Sequence, residues 1–297
     1  MRDVREAMIT WLEPSPALRE FVRWYVYIHR TATGQHPVLP VLATRLAFYP
    51  GSACRVFDHR LQGIDTVARA AVIGPQTRRW VDLRPGPVEG FFALFQAGGF
   101  HRLFGADSFA LADYAHPAAD VIGPGIASVL ERIEAAARPK EMACALDGYL
   151  ATRLSGAGEL HAVDRAAQAL AVAHGAIDAW TLAARAGLGD RHFRRRFVEH
   201  AGMGPKHYAK VARFTFAVSL KTARPSRTWA DVSQRAGYFD QMHLVKDFKS
   251  LTEAAPSRLI SQIGPTGGDF FRPGPHDAEY VNPGLSDQGT AAVSVSY

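Results

Sequence analysis

The chain has 297 residues, of which 47% are hydrophobic and 21% are charged, so it holds enough apolar material for about two globular domains. Its two cysteines exclude a disulfide framework, and no apolar run approaches the ~18 residues of a membrane span or follows the N-terminus as a signal core. The net charge of +6 is mild, and we expect a cytoplasmic protein without a membrane segment.

Residues 1 to about 122 predict a β-rich region. β-Branched and aromatic residues cluster in short runs, and Gly and Pro separate these runs from one another. The runs cover residues 21–28, 46–49, 70–74, 80–83 and 89–95. Short strands with frequent turns are typical of a small sandwich or an open barrel.

Two helices are predicted to follow the strands. Apolar residues recur at helical spacing over residues 126–133 and 142–150, and Pro139 separates the two segments. Ser and Gly at positions 155–158 then predict a flexible joint. The first domain is therefore placed at residues 1–155.

A predicted helical domain at residues 160–262 carries the excess positive charge. From His161 to Ile260 there are 16 Lys and Arg against 8 Asp and Glu, a net charge of +8. A basic segment of this kind is the expected electrostatic footprint of nucleic-acid binding. Residues 263–297 are rich in Gly and Pro without periodicity, and they predict a flexible tail, disordered or draped over the surface.

One pattern occurs twice in this domain, at residues 182–197 and 232–248. Each copy has an apolar helical turn, then Arg-Ala-Gly, then a polar helix start and a second apolar stripe, with one extra residue in the second turn. The matched pairs are Gly187 with Gly237, Asp190 with Asp240, Phe193 with Leu244, and Phe197 with Phe248. The glycines suit the left-handed end of a first helix, and the aspartates suit the N-cap of a second. This is a helix-turn-helix pattern, and its repetition makes the match strong.

The second helix of such a unit can enter the major groove of DNA and present its exposed side chains to base edges. Arg can bond two acceptors on guanine, Gln can pair with adenine, and Met can touch a thymine methyl group. The expected base contacts are Arg191, Arg194 and Arg195 in the first unit and Gln241, Met242 and Lys246 in the second. Expected phosphate contacts, with ordinary surface charge as the alternative, are Lys206, Lys210, Arg224, Arg227 and Lys249.

Residues 205–222 predict a helix that connects the two units. Pro205 suits the first helical position, and the apolar residues after it are numerous enough to pack against both units. A rigid connecting helix fixes the distance between the two reading helices. If both read one face of the duplex, their spacing is expected to be roughly 34 Å, one turn of DNA.

Residues 160–260 resemble the DNA-binding domain of AraC-type transcription regulators, in which a central helix joins two helix-turn-helix units. The resemblance is carried by residues 235–249, Arg-Ala-Gly-Tyr-Phe-Asp-Gln-Met-His-Leu-Val-Lys-Asp-Phe-Lys, and by Ala-Pro-Ser-Arg at 255–258. It implies a sequence-specific regulator that uses the base contacts named above. Since the two units present different residues, an asymmetric DNA site is expected.

Three positions depart from the family pattern. Arg196 and Asp247 stand where the family usually has an apolar or small residue, and Glu253 replaces a common glycine. Half-exposure at the domain edge would accommodate the first two.

The same resemblance implies a sensor domain at the N-terminus, with helices over residues 125–153 for dimerisation. The predicted fold class is therefore α+β, with a β-rich, cupin-like half-barrel and helices followed by an all-α double helix-turn-helix domain. The expected wall of an effector pocket is Trp24, Phe48, Trp80 and Phe92, and ordinary core packing is the alternative interpretation.

An enzyme is the alternative function. A cupin-type metalloenzyme, or a cysteine-based sensor at Cys54 beside Arg55, would be fused to the DNA-binding domain. No His or Cys spacing suits a metal, so we expect no catalytic residue, no metal and no cofactor. The expected partner is double-stranded DNA; further candidate partners are a small-molecule effector, a second copy of the chain and RNA polymerase.

Overall fold

The computed structural model describes residues 7–31, 34–51, 54–58, 63–84 and 86–267. Strands occupy the first part of the chain and helices the second, so the predicted α+β class, a β-rich domain followed by a helical one, is confirmed. The strands are β1 (Ala7–Leu12), β2 (Val22–Arg30), β3 (Gly34–Val38), β4 (Arg45–Phe48), β5 (Cys54–Asp58), β6 (Gly63–Val67), β7 (Ala70–Ile73), β8 (Trp80–Arg84), β9 (Val88–Phe95) and β10 (Ala115–Pro117).

The helices fall into two groups along the chain. Those of the first domain are α1 (Gly99–Phe104), α2 (Ser108–Leu111), α3 (Ala118–Ile122), α4 (Ile126–Ala135) and α5 (Pro139–Ala151). Those of the second are α6 (Ala162–Val172), α7 (Ala179–Arg185), α8 (Asp190–Ala201), α9 (Pro205–Ala223), α10 (Trp229–Arg235), α11 (Gln241–Thr252) and α12 (Pro256–Gly267). Within the described residues, no helix is both long and apolar enough to span a membrane.

The strands form two antiparallel sheets that pack face to face. One sheet has the order β1-β2-β9-β4-β7-β10 and the other has the order β3-β8-β5-β6. Their facing side chains share one apolar cluster of Ala47, Tyr49, Ala71 and Ile73 from the first sheet with Val67 and Trp80 from the second. Because side chains alternate along a strand, Leu46 and Phe48 of β4 point to the other face of the first sheet.

Helices cover that other face of the six-stranded sheet. Phe48 and Phe91 are fully buried against apolar side chains of α4 and α5. The carboxylate of Asp147 on α5 accepts hydrogen bonds from the Tyr25 hydroxyl at 2.5 Å and from the Ser15 backbone N–H at 3.0 Å. The helical layer is therefore tied to the sheet by polar contacts as well as by packing.

The connecting helix α9 runs through the core of the second domain. The rings of Tyr208 and Phe197 lie 5.4 Å apart, centre to centre, so the first half of α9 packs on the first unit. The rings of Phe214 and Phe248 lie 4.8 Å apart, so the second half packs on the second unit. Pro205 stands at the start of α9, as predicted.

The two domains share a packed interface. Leu39, which follows β3, belongs to the apolar core of the helical domain. The buried carboxylate of Asp164 on α6 is hydrogen-bonded to the His200 ring at 2.7 Å, and Gly98 of the first domain lies directly against it. A Cβ added at Gly98 would come within 2.0 Å of a carboxylate oxygen of Asp164. The small cavity at this interface has room for about one water molecule.

Two segments differ from their sequence-based expectation. The joint at 155–158 is anchored to the first domain, because Gly158 N–H donates to Arg102 O at 2.8 Å and Arg102 Nε donates to Gly158 O at 3.0 Å. The predicted tail begins at residue 263, but α12 continues to Gly267. Residues 268–297, the rest of the predicted tail, lie outside the described part of the chain.

We expect Gly98→Ala to destabilise the protein more than Gly105→Ala. Both glycines flank α1 with left-handed φ angles of +76° and +69°, so alanine costs about 1–2 kcal/mol of backbone strain at either position. An added Cβ at Gly98 would also collide with Asp164, whereas nothing lies within 4 Å at Gly105. Denaturant unfolding of both variants measures the difference. Equal losses would contradict tight docking of α1 against α6.

Candidate nucleic-acid interface

The two helix-turn-helix units have the same turn after their first helices, α7 and α10. Gly187 and Gly237 have φ angles of +66° and +73°, the left-handed conformation predicted for them. The residue after each glycine donates a hydrogen bond to the carbonyl five residues earlier. These bonds join Leu188 N–H to Ala183 O at 3.1 Å and Tyr238 N–H to Ser233 O at 3.0 Å. The sequence repeat is therefore a repeat of backbone structure.

The second helices, α8 and α11, begin differently. Asp240 is the N-cap of α11, and its carboxylate accepts a backbone N–H of the first turn at 2.7 Å, as predicted. The predicted N-cap role of Asp190 is wrong, because Gly189 is the N-cap of α8 and Asp190 is its first helical residue. Gly189 therefore corresponds to Asp240, which is the effect of the extra residue in the second turn.

The three arginines predicted to contact bases lie on the exposed side of α8. Arg194 donates to the carboxylate of Asp190 at 2.9 Å. Arg191 and Arg195 form no ion pair with any residue that the structure describes. Both are thus available to bind DNA. Arg194 must first break its exposed ion pair with Asp190, and such a pair contributes about 0.3–0.5 kcal/mol of stability.

The exposed side of α11 carries both polar and apolar residues. Gln241 and Lys246 are exposed, and Met242 is 74% exposed. Sequence reasoning missed Phe239, which lies in the turn just before α11 and is 93% exposed. The sequence does indicate that Phe239 is exposed, because an aromatic residue next to an N-cap lies outside the buried stripe of the helix. Phe239 and Met242 together give this unit an apolar surface that the arginine-rich first unit lacks.

The candidate phosphate contacts divide into two groups. Those that are exposed and form no ion pair within the described ranges are Lys206, Arg224 and Lys249. In contrast, Lys210 Nζ lies 3.5 Å from the carboxylate of Asp247, and Arg227 donates to Leu220 O at 3.1 Å. Lys210 and Arg227 already stabilise the domain, so the first group is better placed to bind phosphate.

The two polar departures from the family pattern both have partners. Asp247 is only 7% exposed, rather than half-exposed; its carboxylate lies near Lys210 and 3.7 Å from His243 Nε2. Arg196 is half-buried and pairs with Glu199 at 3.1 Å. Neither side chain leaves an uncompensated charge in the packing of its helix.

A loop of the first domain, residues 75–79, contacts the connecting helix and the second unit; we call it the contact loop. Thr77 O accepts a hydrogen bond from His207 Nε2 at 3.3 Å, near the start of α9. Arg79 N–H donates to Leu251 O at 3.0 Å, near the end of α11. Burial lowers the pKa of His207 below its usual value, so its ring is uncharged at neutral pH. The first domain therefore braces the connecting helix and the second unit through one loop.

The predicted effector-pocket residues divide between the two faces of the first sheet. Phe92 packs against both the cluster that contains Trp24 and the cluster that contains Trp80, on the face turned toward the second sheet. Phe48 lies on the opposite face, against the helices, so it cannot line a pocket with the other three. The side chain of Cys54 lies outside the described residues. No group of three or more His, Cys, Asp or Glu that could hold a metal ion occurs among the residues that are described.

Two family models match the chain, each over one part of it. A helix-turn-helix domain matches residues 182–262, and a domain of unknown function (DUF6597) matches residues 11–117. No curated protein sequence matches the chain.

Solved structures of ToxT from Vibrio cholerae share the fold over both domains. A single-residue variant of apo ToxT from strain SCE256 superposes with a TM-score of 0.50 at 10% identity, over 87% of this chain and 97% of that one. ToxT of strain O395 bound to (E)-4-(8-methylnaphthalen-1-yl)but-3-enoic acid gives a TM-score of 0.50 at 8% identity, over 88% of this chain and 100% of that one. At such identity the likeness establishes the fold alone.

We expect Glu253→Gly to stabilise the protein by about 0.5–1 kcal/mol. Glu253 ends α11 with a φ angle of +59°, and the left-handed conformation costs a residue with a Cβ about 1–2 kcal/mol. Glycine removes that strain, but it also increases the conformational entropy of the unfolded chain, which offsets part of the gain in stability. Urea unfolding measures the change. Glu253→Ala, which keeps the strain, is the control and should bring no gain; stabilisation of both variants to the same extent would assign the effect to the lost carboxylate.

Proposed function

The C-terminal part of the chain is a helix-turn-helix domain of the AraC type, and from that premise we propose that the protein is a sequence-specific DNA-binding transcription regulator. The observation that carries the proposal is that both units have the same backbone turn and expose their second helix to solvent. Each would place its second helix in the major groove. Selection of bound fragments from genomic DNA tests this proposal and yields the operator.

The two reading helices present different chemistry, so the DNA site is asymmetric. The first unit offers free guanidinium groups at Arg191 and Arg195, which suit the acceptors of guanine. The second offers Gln241, which suits adenine, beside the exposed apolar surface of Met242 and Phe239, which suits thymine methyl groups. A guanine-containing half-site and an A·T-rich half-site in fixed order are therefore expected.

The first domain would make this binding responsive to a small molecule. Its contact loop is hydrogen-bonded to the connecting helix and to the second unit, so a change at the sheets has a direct route to the helical domain. ToxT, which shares the fold, has been crystallised with an organic acid. An effector between the two sheets, near Trp24, Trp80 and Phe92, fits the placement of these aromatic residues.

We expect Arg195→Ala to weaken binding to the selected site by about 1–3 kcal/mol and to relax the preference at one base position. Lys246→Ala should cost less, because lysine is a point charge and lacks the bidentate fork of arginine. Fluorescence anisotropy on the selected duplex gives the affinities, and repeated site selection with each variant gives the relaxed position.

The matched control is Arg138→Ala, which removes an exposed arginine, paired with Glu141, from the first domain. It should leave both affinity and preference unchanged. Equal losses for Arg195→Ala and Lys246→Ala, or a larger loss for the lysine, would contradict the unequal roles of the two units.

We also expect the affinity to fall steeply with salt, because each neutralised phosphate releases counterions. Lys249→Ala should reduce the slope of log K against log salt by about 1 while weakening all sequences alike. Titrations at several salt concentrations measure the slope, with Lys140→Ala, an exposed lysine of the first domain, as the control. A salt-independent affinity would argue against DNA binding by this surface.

A further inference from the structure

Arg45 lies in an unusual place for a charged side chain. It belongs to β4, in the middle of the six-stranded sheet, and is only 4% exposed. Along that strand Leu46 points to the helices, and Ala47 points to the second sheet. Because alternate residues share a face, Arg45 points with Ala47 into the space between the two sheets.

The positive charge of Arg45 has no counterion in the described part of the chain. Its guanidinium donates through Nη2 to the Oε1 atom of Gln76, and no carboxylate among the described residues pairs with it. The other buried arginine among the described residues does have one, since Arg102 pairs with Glu20 at 3.2 Å; the partly buried Arg78 likewise pairs with Asp113 at 3.3 Å.

Burial without a counterion is costly for a guanidinium. Desolvation lowers the pKa of Arg45 to about 10, which still leaves the group protonated at neutral pH. A charge that stays on a buried group and lacks an internal partner favours the binding of an external anion.

Arg45, its partner Gln76 and Trp80 on the second sheet carry unused hydrogen-bond donors. Arg45 Nε, Gln76 Nε2 and Trp80 Nε1 are buried and have no hydrogen-bond partner among the residues described. An anion beside Arg45 would accept from the N–H groups of Arg45 and Gln76, whereas a neutral apolar molecule would leave them unsatisfied. The walls beside them are apolar, with Ala71 and Ile73 in the same cluster as Trp80.

We propose that the space between the two sheets binds a small organic monocarboxylate, whose carboxylate pairs with Arg45 and accepts from Gln76 while its apolar body packs on Trp80 and its neighbours. One guanidinium suits one carboxylate, and the bidentate geometry of this pair favours it over halide ions. The proposal rests on the proposed function, because it names the chemical class of the effector.

The position of Gln76 connects this site to DNA binding. Gln76 belongs to the contact loop, next to Thr77 and three residues before Arg79, the two residues that hydrogen-bond to the helical domain. An anion that draws the Gln76 amide toward itself therefore acts on the loop that braces the connecting helix and the second unit.

The test uses the full-length protein, with sodium benzoate and sodium octanoate as probes and benzamide and octanamide as their neutral counterparts. Saturating carboxylate should raise Tm by roughly 5 °C, since a ligand that binds only the folded state stabilises it, and the amides should not. Calorimetric titration gives the affinity. No shift with either carboxylate, or equal shifts with the amides, would overturn the proposal.

Two variants locate the binding. Arg45→Gln should fold, because it removes a buried unpaired charge, and should weaken carboxylate binding at least tenfold. Gln76→Glu supplies a carboxylate from within the chain, so it should raise Tm without ligand and abolish the response to benzoate and octanoate. Arg102→Gln, which removes a buried but compensated arginine, should leave the carboxylate affinity intact. Full carboxylate binding by Arg45→Gln would place the ligand elsewhere and overturn the proposal.

DNA binding is measured separately on the same proteins, by anisotropy on genomically selected duplexes. Loss of the carboxylate response with DNA binding preserved refutes the anion site and leaves the regulator intact. Carboxylate binding that depends on Arg45, in a protein that binds no specific DNA, refutes the regulator and leaves the anion site.

Discussion

The packing of α9 is the constraint on which the helical domain depends. One helix of 19 residues, about 28 Å long at 1.5 Å per residue, carries Tyr208 against Phe197 and Phe214 against Phe248. Both units therefore share a single apolar core, and neither can turn without disturbing the other. The spacing and relative orientation of the two reading helices are properties of that core, and the proposed reading of one directional site by two unequal units requires such a fixed arrangement.

Features that depend on residues close together in the sequence were predictable, and features that depend on distant residues were not. The left-handed Gly187 and Gly237, the start of α9 at Pro205 and the buried stripes of the reading helices are local and were predicted correctly. The N-cap of α8 was misplaced by one residue, because Gly189 and Asp190 are both acceptable caps and the choice between them depends on how the turn packs.

Features that depend on strand register or on distant partners were not predictable. Aromatic content alone cannot assign Phe48 to the helix-facing side of the sheet and Trp80 to the other, because a shift of one residue exchanges the faces. The burial of Asp247 depends on Lys210, 37 positions earlier in the chain, and the same pair removes Lys210 from the free phosphate-binding surface. The charge of Arg45, uncompensated among the described residues, is likewise invisible in composition, since it is defined by which of the described carboxylates lie near it.

The rigidity of the helical domain also limits how an effector can act. Because α9 fixes the two reading helices relative to each other, a ligand in the first domain can change their spacing very little. The contacts that it can change are those of the contact loop, where Thr77 and Arg79 hydrogen-bond to α9 and to the end of α11. Each is a single hydrogen bond, worth about 0.5–1.5 kcal/mol. In the proposed complex, a hydrogen bond from Gln76 to the bound carboxylate is comparable in size with the bonds that it would strain. Under the proposed function, an effector would therefore change how firmly the first domain holds the reading domain, rather than the arrangement within the reading domain.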